Sequence, residues 1–196
     1  TCEIKVLNDI ETFNGTEGQL GVMVMGGSGN YTYSWNNGGM DSVINDLSTN
    51  TYIVTITDET GCVCTDTLRL LNPAILGDFV WEDTDSSGTQ DAGEPGVEGV
   101  TLQVSGTTYY DEMIVRETQT DANGLYQFNL PPGGYKVTVV DAFGLTFTNQ
   151  NTGGDDAIDS DFDPNTNMSP VVTLAPNDVN LTIDLGLYPS DGICRN

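Results

Sequence analysis

Apolar and polar residues alternate along most of this chain, and helical spacing is nearly absent. In "QLGVMVMGG" the alternation places Leu20, Val22 and Val24 on one face, and in "NYTYSWNNG" it does the same for Tyr31, Tyr33 and Trp35. "TYIVTITDETGCVCTDTLRLL" predicts a hairpin. Its first arm sets Tyr52, Val54 and Ile56 on one face, "DETG" turns the chain, and its second arm aligns Cys62, Cys64, Leu68 and Leu70. Strands near 2–8 and 40–45 complete the first half.

"LNPAIL" interrupts the pattern. Pro73 has no N–H to give to a sheet, and it pushes Asn72 toward an extended shape. The domain boundary is therefore expected here, giving domains 1–72 and 73–196. The second half predicts strands at 75–82, 99–105, 107–119, 124–130, 134–141, 169–175 and 179–187, with "DANG" and "PPGG" as turns. "LYQFNL" directs Tyr126, Phe128 and Leu130 to the core. The fold class that follows is all-β, two immunoglobulin-like β-sandwich domains in tandem. Trp35 and Trp81 read as core anchors, because an indole buries so much area.

Charge changes the picture more than length does. Of 196 residues, 29 are acidic and 5 basic, a net charge of −24. Residues 1–72 hold 9 acids against 2 bases, and residues 73–196 hold 20 against 3. A polyanion repels phosphate backbones and anionic lipid, so nucleic acid and bare membrane are excluded as partners. No apolar run approaches the length of a membrane span, so direct insertion is not expected. A chain that begins at Thr1 reads as a processed form or a fragment. Four cysteines without a single histidine fit disulfides of an extracellular compartment better than a zinc site. Sequons at Asn14, Asn30, Asn167 and Asn180 are possible glycosylation points, close to the number chance gives in a chain so rich in Asn, Ser and Thr.

The acids are not scattered. In "DTDSSGTQDAGE", residues 83–94, Asp83, Asp85, Ser87, Thr89, Asp91 and Glu94 occupy positions 1, 3, 5, 7, 9 and 12 of a calcium loop. Gly88 falls at position 6, where the chain must turn sharply. Position 7 offers a backbone carbonyl and position 12 a bidentate carboxylate. Flanking strands can anchor such a loop as well as helices can. A second cluster, "DDAIDSDFD", contains Asp155, Asp156, Asp159, Asp161 and Asp163. Their mutual repulsion would be relieved by a divalent cation. Ca2+ is the expected cofactor of both. Asp121 and Asn123 read equally as a further oxygen pair or as an Asx turn before Gly124.

Catalysis has little support. Serine and cysteine nucleophiles lack a histidine base. The carboxylates are grouped on ligand spacing, not isolated in apolar pockets as glycosidase pairs are. The cysteines leave alternatives open: Cys62 and Cys64 lie about 7 Å apart on one strand face and should not bond each other, so each is left with Cys2 or Cys194.

Two resemblances sharpen these expectations. "GGSGNYTYSWNNG" and "INDLSTNTYIVTITDETGC" resemble the SprB-type repeat of secreted and gliding-associated adhesins, over roughly residues 1–72. Here Asn30 stands where that pattern often has proline, and Cys64 is an extra cysteine. "LGDFVWEDTDSSGTQDAGEPGVEGVTLQV", "TDANGLYQFNLPPGGYKVTV", "GGDDAIDSDFDP" and "VVTLAPNDVNLTIDLGLY" are similar to the SdrD B-like domain of serine-aspartate repeat adhesins. That family is related to the Cna-B stalk modules. The second resemblance covers about 73–189 and implies a calcium-stiffened spacer at the cell surface with no catalysis. Lys136 is the only lysine of this half, so the internal isopeptide of Cna-B relatives is not expected. The first resemblance implies a Cys2–Cys62 bond, which leaves Cys64 and Cys194. A tail reaching about 20 Å cannot return along a sandwich roughly 35–40 Å long. If the termini lie at opposite ends, Cys194 would instead meet Cys64 of the next molecule and build a head-to-tail filament; the alternatives are a local disulfide in a folded-back monomer or an unpaired Cys194 in a fragment. The expected function is a structural fibre or adhesin segment, with self-association or neighbouring adhesin domains as partners. The alternative is a ligand-binding adhesin domain recognising glycan or a host protein.

Overall fold

The alternation near the start of the chain becomes strand β1, Cys2–Asn8, with Ile4 and Val6 buried and Glu3 and Lys5 exposed. It is followed by β2 (Gly18–Val24), β3 (Tyr31–Trp35), β4 (Val43–Leu47), β5 (Asn50–Asp58) and β6 (Val63–Leu70). The computed structural model describes residues 1–189 and divides into two units, Thr1–Pro73 and Ala74–Asn196. In the first unit β1, β2 and β4 form one sheet and β3, β5 and β6 the other. Strand β5 carries Tyr52, Val54 and Ile56 into the core, as its period-2 pattern requires. Trp35 is also buried, and its Nε1 donates to the carbonyl of Asp41 at 2.9 Å, so the indole is both packed and satisfied.

The disulfide corrects the sequence-based expectation. It joins Cys2 to Cys64, not to Cys62, with Cα atoms 6.1 Å apart. The register explains the choice. The backbone N–H of Ile4 donates to Asp66 Oδ2 at 2.6 Å, so β1 runs beside β6 with Cys2 opposite Cys64. Cys62 lies one rung farther out, beyond Gly61 in the turn (φ +85°), and its thiol is free and exposed. Cys64 is therefore unavailable to Cys194 of another molecule, and that expected cross-link falls; Cys194 itself lies outside the described residues. The bond ties the two sheets of the unit across a sequence separation of 62 residues.

The second unit contains β7 (Ala74–Glu82), β8 (Thr101–Thr108), β9 (Met113–Gln119), β10 (Leu125–Leu130), β11 (Gly133–Asp141), β12 (Thr146–Phe147), β13 (Val172–Leu174), β14 (Val179–Leu181) and β15 (Leu185–Tyr188). One sheet runs β10-β7-β15-β12, with β14 also paired to β7, and the other runs β13-β11-β8-β9. The facing surfaces bury Leu76, Val80, Leu102, Val104, Tyr126, Phe128, Leu130, Tyr135 and Leu187. The architecture is thus all-β, with two immunoglobulin-like sandwiches in tandem.

Several spans differ from those the alternation suggests. The run 107–119 is broken by a turn at Tyr109–Glu112, where Asp111 adopts φ +60°. The expected strand 169–175 shrinks to Val172–Leu174. The run 179–187 splits into β14 and β15, both parallel to β7. At the gap between them Asp184 Oδ1 takes the backbone N–H of Phe79 at 3.0 Å. A side-chain carboxyl there does the work of a ladder carbonyl.

Candidate metal centre

Strand β7 ends at Glu82 and delivers Asp83 to a fully buried position. The loop after it winds around that carboxylate. Ser87 N–H donates to Asp83 Oδ1 at 3.1 Å, and Gly88 N–H donates to Asp83 Oδ2 at 2.9 Å. Gly88 has φ +82°, a conformation that costs a residue with a Cβ but not glycine. Thr148 Oγ1 donates to Asp83 Oδ2 at 2.5 Å, bracing the carboxylate from the other side. The loop then returns so that ligand oxygens of Asp83, Asp85 and Glu94 lie within 4.8 Å of one another. These are positions 1, 3 and 12 of the spacing read from sequence. Glu94 also closes the loop on itself: Oε1 accepts Thr84 N–H at 2.7 Å and Oε2 accepts Asp91 N–H at 2.9 Å.

The remaining loop residues stand beside this triad. Ser87 Oγ donates to the carbonyl of Thr89 at 3.0 Å. The carboxylate of Asp91 is outside the triad and 3.5 Å from Ser87 Oγ.

A second triad is formed by Asp156, Asp159 and Asp161, again with oxygens within 4.8 Å. Asp159 and Asp161 are each 3% exposed, and Asp159 Oδ1 has no hydrogen-bond partner. A buried carboxylate oxygen left unpaired is costly. Asp155 stays exposed and caps the turn: its carbonyl accepts Ile158 N–H at 3.1 Å and its Oδ1 accepts Ala157 N–H at 3.3 Å. Asp163 faces its own turn, with Oδ1 accepting Asn165 N–H at 2.9 Å. Asp121 likewise closes an Asx turn, its Oδ1 accepting Asn123 N–H at 2.8 Å and Leu125 N–H at 2.9 Å.

The two acidic segments are neighbours. Thr89 and Asp159 form an antiparallel bridge, and Gln90 N–H donates to the carbonyl of Ile158 at 2.6 Å. Both triads thus belong to one stretch of surface on the second unit.

Electrostatics reflect the crowding. Burial pushes Asp161 up to about 7, opposed by the Asp184 N–H and reinforced by Asp156 and Asp159. Asp159 is raised by burial and then by Asp156 and Asp155. Behind the second triad lies a residue that loop spacing does not reveal. Asp184 is 2% exposed, and its N–H donates to Asp161 Oδ2 at 2.8 Å. Burial and then the charge of Asp78 push its carboxyl up to about 8. The sequence signal for it is an acid inside the apolar run "LTIDLGL". Thr148, which braces Asp83, carries no comparable signal.

The donor set is carboxylate oxygen throughout, which suits a hard cation. The buried Asp159 Oδ1, left without a hydrogen-bond partner, marks a place short of a positive partner. The residues present therefore fit calcium.

Residues 74–187 match the SdrD B-like domain family. A stretch of 114 residues, 58% of the chain, is 40% identical to serine-aspartate repeat-containing protein C of Staphylococcus aureus strains Newman, USA300 and COL. That stretch spans 11% of the length of each of those relatives. Across 96% of its length the chain also aligns with 41% of the Bacillus anthracis TIE protein, at 9% identity and a TM-score of 0.35, a likeness too loose to carry an argument.

Proposed function

Because the chain belongs to the SdrD B-like domain family, we propose that it is a calcium-stiffened structural module of a cell-surface adhesin. The observation that carries this reading is the pair of adjoining carboxylate triads, Asp83–Asp85–Glu94 and Asp156–Asp159–Asp161. Glu94 would draw the far end of its loop back to the end of β7. Asp156, Asp159 and Asp161 would hold the second loop against the first. Calcium supplies the positive charge that lets these acids remain ionised together. Rigidity, not chemistry, is the product, and the duty is that of a spacer. A unit that spans 11% of its relatives suits one segment of a long surface protein, with neighbouring modules or further copies of the chain as its partners. The first unit we read as a SprB-type repeat, a second spacer in series. Its hairpin β5–β6, with Gly61 and Cys62 at the turn, supports that reading.

Calorimetry of the whole chain tests the proposal. A ligand bound only to the folded state stabilises it by roughly 3 to 4 kcal/mol when present at a hundred to a thousand times Kd. Chelation is expected to lower one melting transition, and added calcium to restore it. A melt unmoved by exhaustive chelation sinks the proposal.

A further inference from the structure

Both carboxylate triads are fastened to one short run of the second unit, Asp184 and the β15 residues Leu185 to Leu187. For the first triad, Asp83 N–H donates to the carbonyl of Leu187 at 2.8 Å, and Thr148 N–H donates to the carbonyl of Gly186 at 3.0 Å. The hydroxyl of Thr148 then reaches Asp83 Oδ2. For the second triad, Asp161 N–H donates to the carbonyl of Asp184 at 2.9 Å, and Asp184 N–H returns to Asp161 Oδ2 at 2.8 Å. Gly186 N–H donates to Ser160 Oγ at 3.3 Å, and Ser160 stands in the chain between two triad members, Asp159 and Asp161. A line of contacts therefore runs Asp83–Thr148–Gly186–Ser160, from a carboxylate of the first triad to the backbone that carries the second. Every residue along it is buried. Leu185 and Leu187, on the other face of the strand, are fully buried in the core, so this support is held by close packing. Gly186 leaves room for the arrangement. A Cβ there would come within 2.4 Å of the Thr148 methyl and 2.8 Å of Trp81 Cζ2. That close approach seats Thr148 where its hydroxyl meets Asp83.

Resting on the calcium reading given above, we propose that β15 couples the two cation sites, with Thr148 and Ser160 as its positioning residues, so that filling one triad raises the affinity of the other. Neither residue is itself a member of a triad. Each acts through a neighbour: Thr148 fixes the Asp83 carboxylate, and Ser160 fixes the segment that presents Asp159 and Asp161. Within an empty triad the carboxylates repel one another and press their loop outward. Once the first triad is filled, Asp83 is held, and Thr148 is held with it against Gly186. The same glycine then keeps Ser160 in place, so the second triad has less ordering left to undergo when it is filled in turn. The effect is reciprocal, because a coupling free energy between two binding sites acts equally in both directions.

The test titrates calcium against a competing chelator in the full chain, in Asp85→Asn, which disables the first triad, and in Asp159→Asn, which disables the second. The product of the two association constants in the parent is compared with the product of the two single-site constants. The parent product is expected to be larger by roughly fivefold to a hundredfold. The same comparison is then made in a Thr148→Val background, which keeps the shape and loses the hydroxyl, and in a Ser160→Ala background. Both should remove the excess, and Thr148→Ser, which keeps the hydroxyl, should retain it. A merely structural role for these residues would lower the melting temperature of the calcium-free protein and leave the excess intact. The proposal is overturned if the parent binds its two ions independently. It is equally overturned if the excess survives in either folded variant, since coupling then runs through the surface contact of Gln90 with Ile158. A parent that binds no calcium overturns the calcium reading as well, whereas two independent ions leave that reading standing. Thr148 and Ser160 lie at opposite ends of the line, so misfolding of one variant leaves the other to decide.

Discussion

Gln90 donates its backbone N–H to the carbonyl of Ile158 across 2.6 Å, and this contact makes two acidic loops, distant in sequence, into one surface. Loosening one loop should therefore be felt in the other. Replacing Glu94 by glutamine removes a charge from the first triad and weakens its hold on the end of the loop. Calcium affinity there should fall by about tenfold to a hundredfold, read by chelator competition. Limited proteolysis of the Glu94→Gln protein should also quicken near residues 155–161. Glu98→Gln, at an exposed position outside either triad, should change neither. Equal losses for the two variants would contradict the assignment.

The raised acids predict an unusual pH profile for the calcium-free second unit. Asp184 is pushed up to about 8 and Asp161 to about 7, first by burial in both cases. A carboxyl raised in the folded state contributes stability that is full below its unfolded value of about 4 and is lost as pH rises through the folded value. Chelated protein should thus melt lower at pH 8.5 than at pH 5.5. Asp121 and Asp163 work the other way. Backbone donors, Leu125 N–H and Asn165 N–H respectively, hold them below the ordinary range, and their contribution disappears below about pH 4. A maximum between about pH 4 and 6 follows. With calcium present the slope between 5.5 and 8.5 should reverse, because the cation competes with protons for the same oxygens. Melting curves at three pH values, with and without chelator, check both signs.

Asp184→Asn separates the group behind the site from the site itself. The amide keeps an oxygen for the Phe79 N–H, now received at 3.0 Å, and replaces an oxygen that has no partner. At pH 8.5 in chelator the variant should melt at or above the parent, and the fall between pH 5.5 and 8.5 should shrink. Asp161→Asn alters a triad member and should cost calcium affinity. A large destabilisation of Asp184→Asn in chelator at high pH, by more than about 2 kcal/mol, would show the carboxylate to be paired in solution.

How far these features were legible in the sequence follows from how local each one is. The calcium-loop spacing is a local pattern, so Asp83, Asp85 and Glu94 could be named from it, and the alternation in "LYQFNL" placed Tyr126, Phe128 and Leu130 correctly. The second triad was visible only as a cluster. Which of its acids converge depends on turns at Asp155 and Asp163 that consume those two side chains. The alternation runs Asp184 into one strand over 179–187, because nothing local says that β14 and β15 part there. The sulfur pairing depended on the offset between β1 and β6, a non-local register that the Ile4–Asp66 contact reveals.

Trp81 offers an optical reading of the site. It is fully buried, its Nε1 has no partner, and its ring lies against Gly186, where an added Cβ would come within 2.8 Å of Cζ2. The same added atom would lie 2.4 Å from the methyl of Thr148, the residue that braces Asp83. Calcium should therefore shift or intensify the emission of Trp81. A Trp35→Phe chain, which leaves Trp81 as the sole indole, should keep the whole calcium-dependent change. Loss of that change on removing Trp35 would place the cation in the first unit.

The disulfide gives the last prediction, on the first unit alone. Cross-linking positions 62 residues apart removes chain entropy from the unfolded state worth about 4 kcal/mol in the loop-closure estimate. Cys2→Ser removes the Cys2–Cys64 bond and should destabilise the first unit by about 2 to 4 kcal/mol. Cys62→Ser leaves the Cys2–Cys64 bond in place and, at an exposed position, should cost less than about 0.5 kcal/mol. Urea unfolding followed by Trp35 emission in a Trp81→Phe background reads the first unit, and reducing agent should bring the Cys62→Ser protein down to the level of Cys2→Ser. If Cys2→Ser proves as stable as the parent without reductant, the bond does not hold the two sheets together in solution.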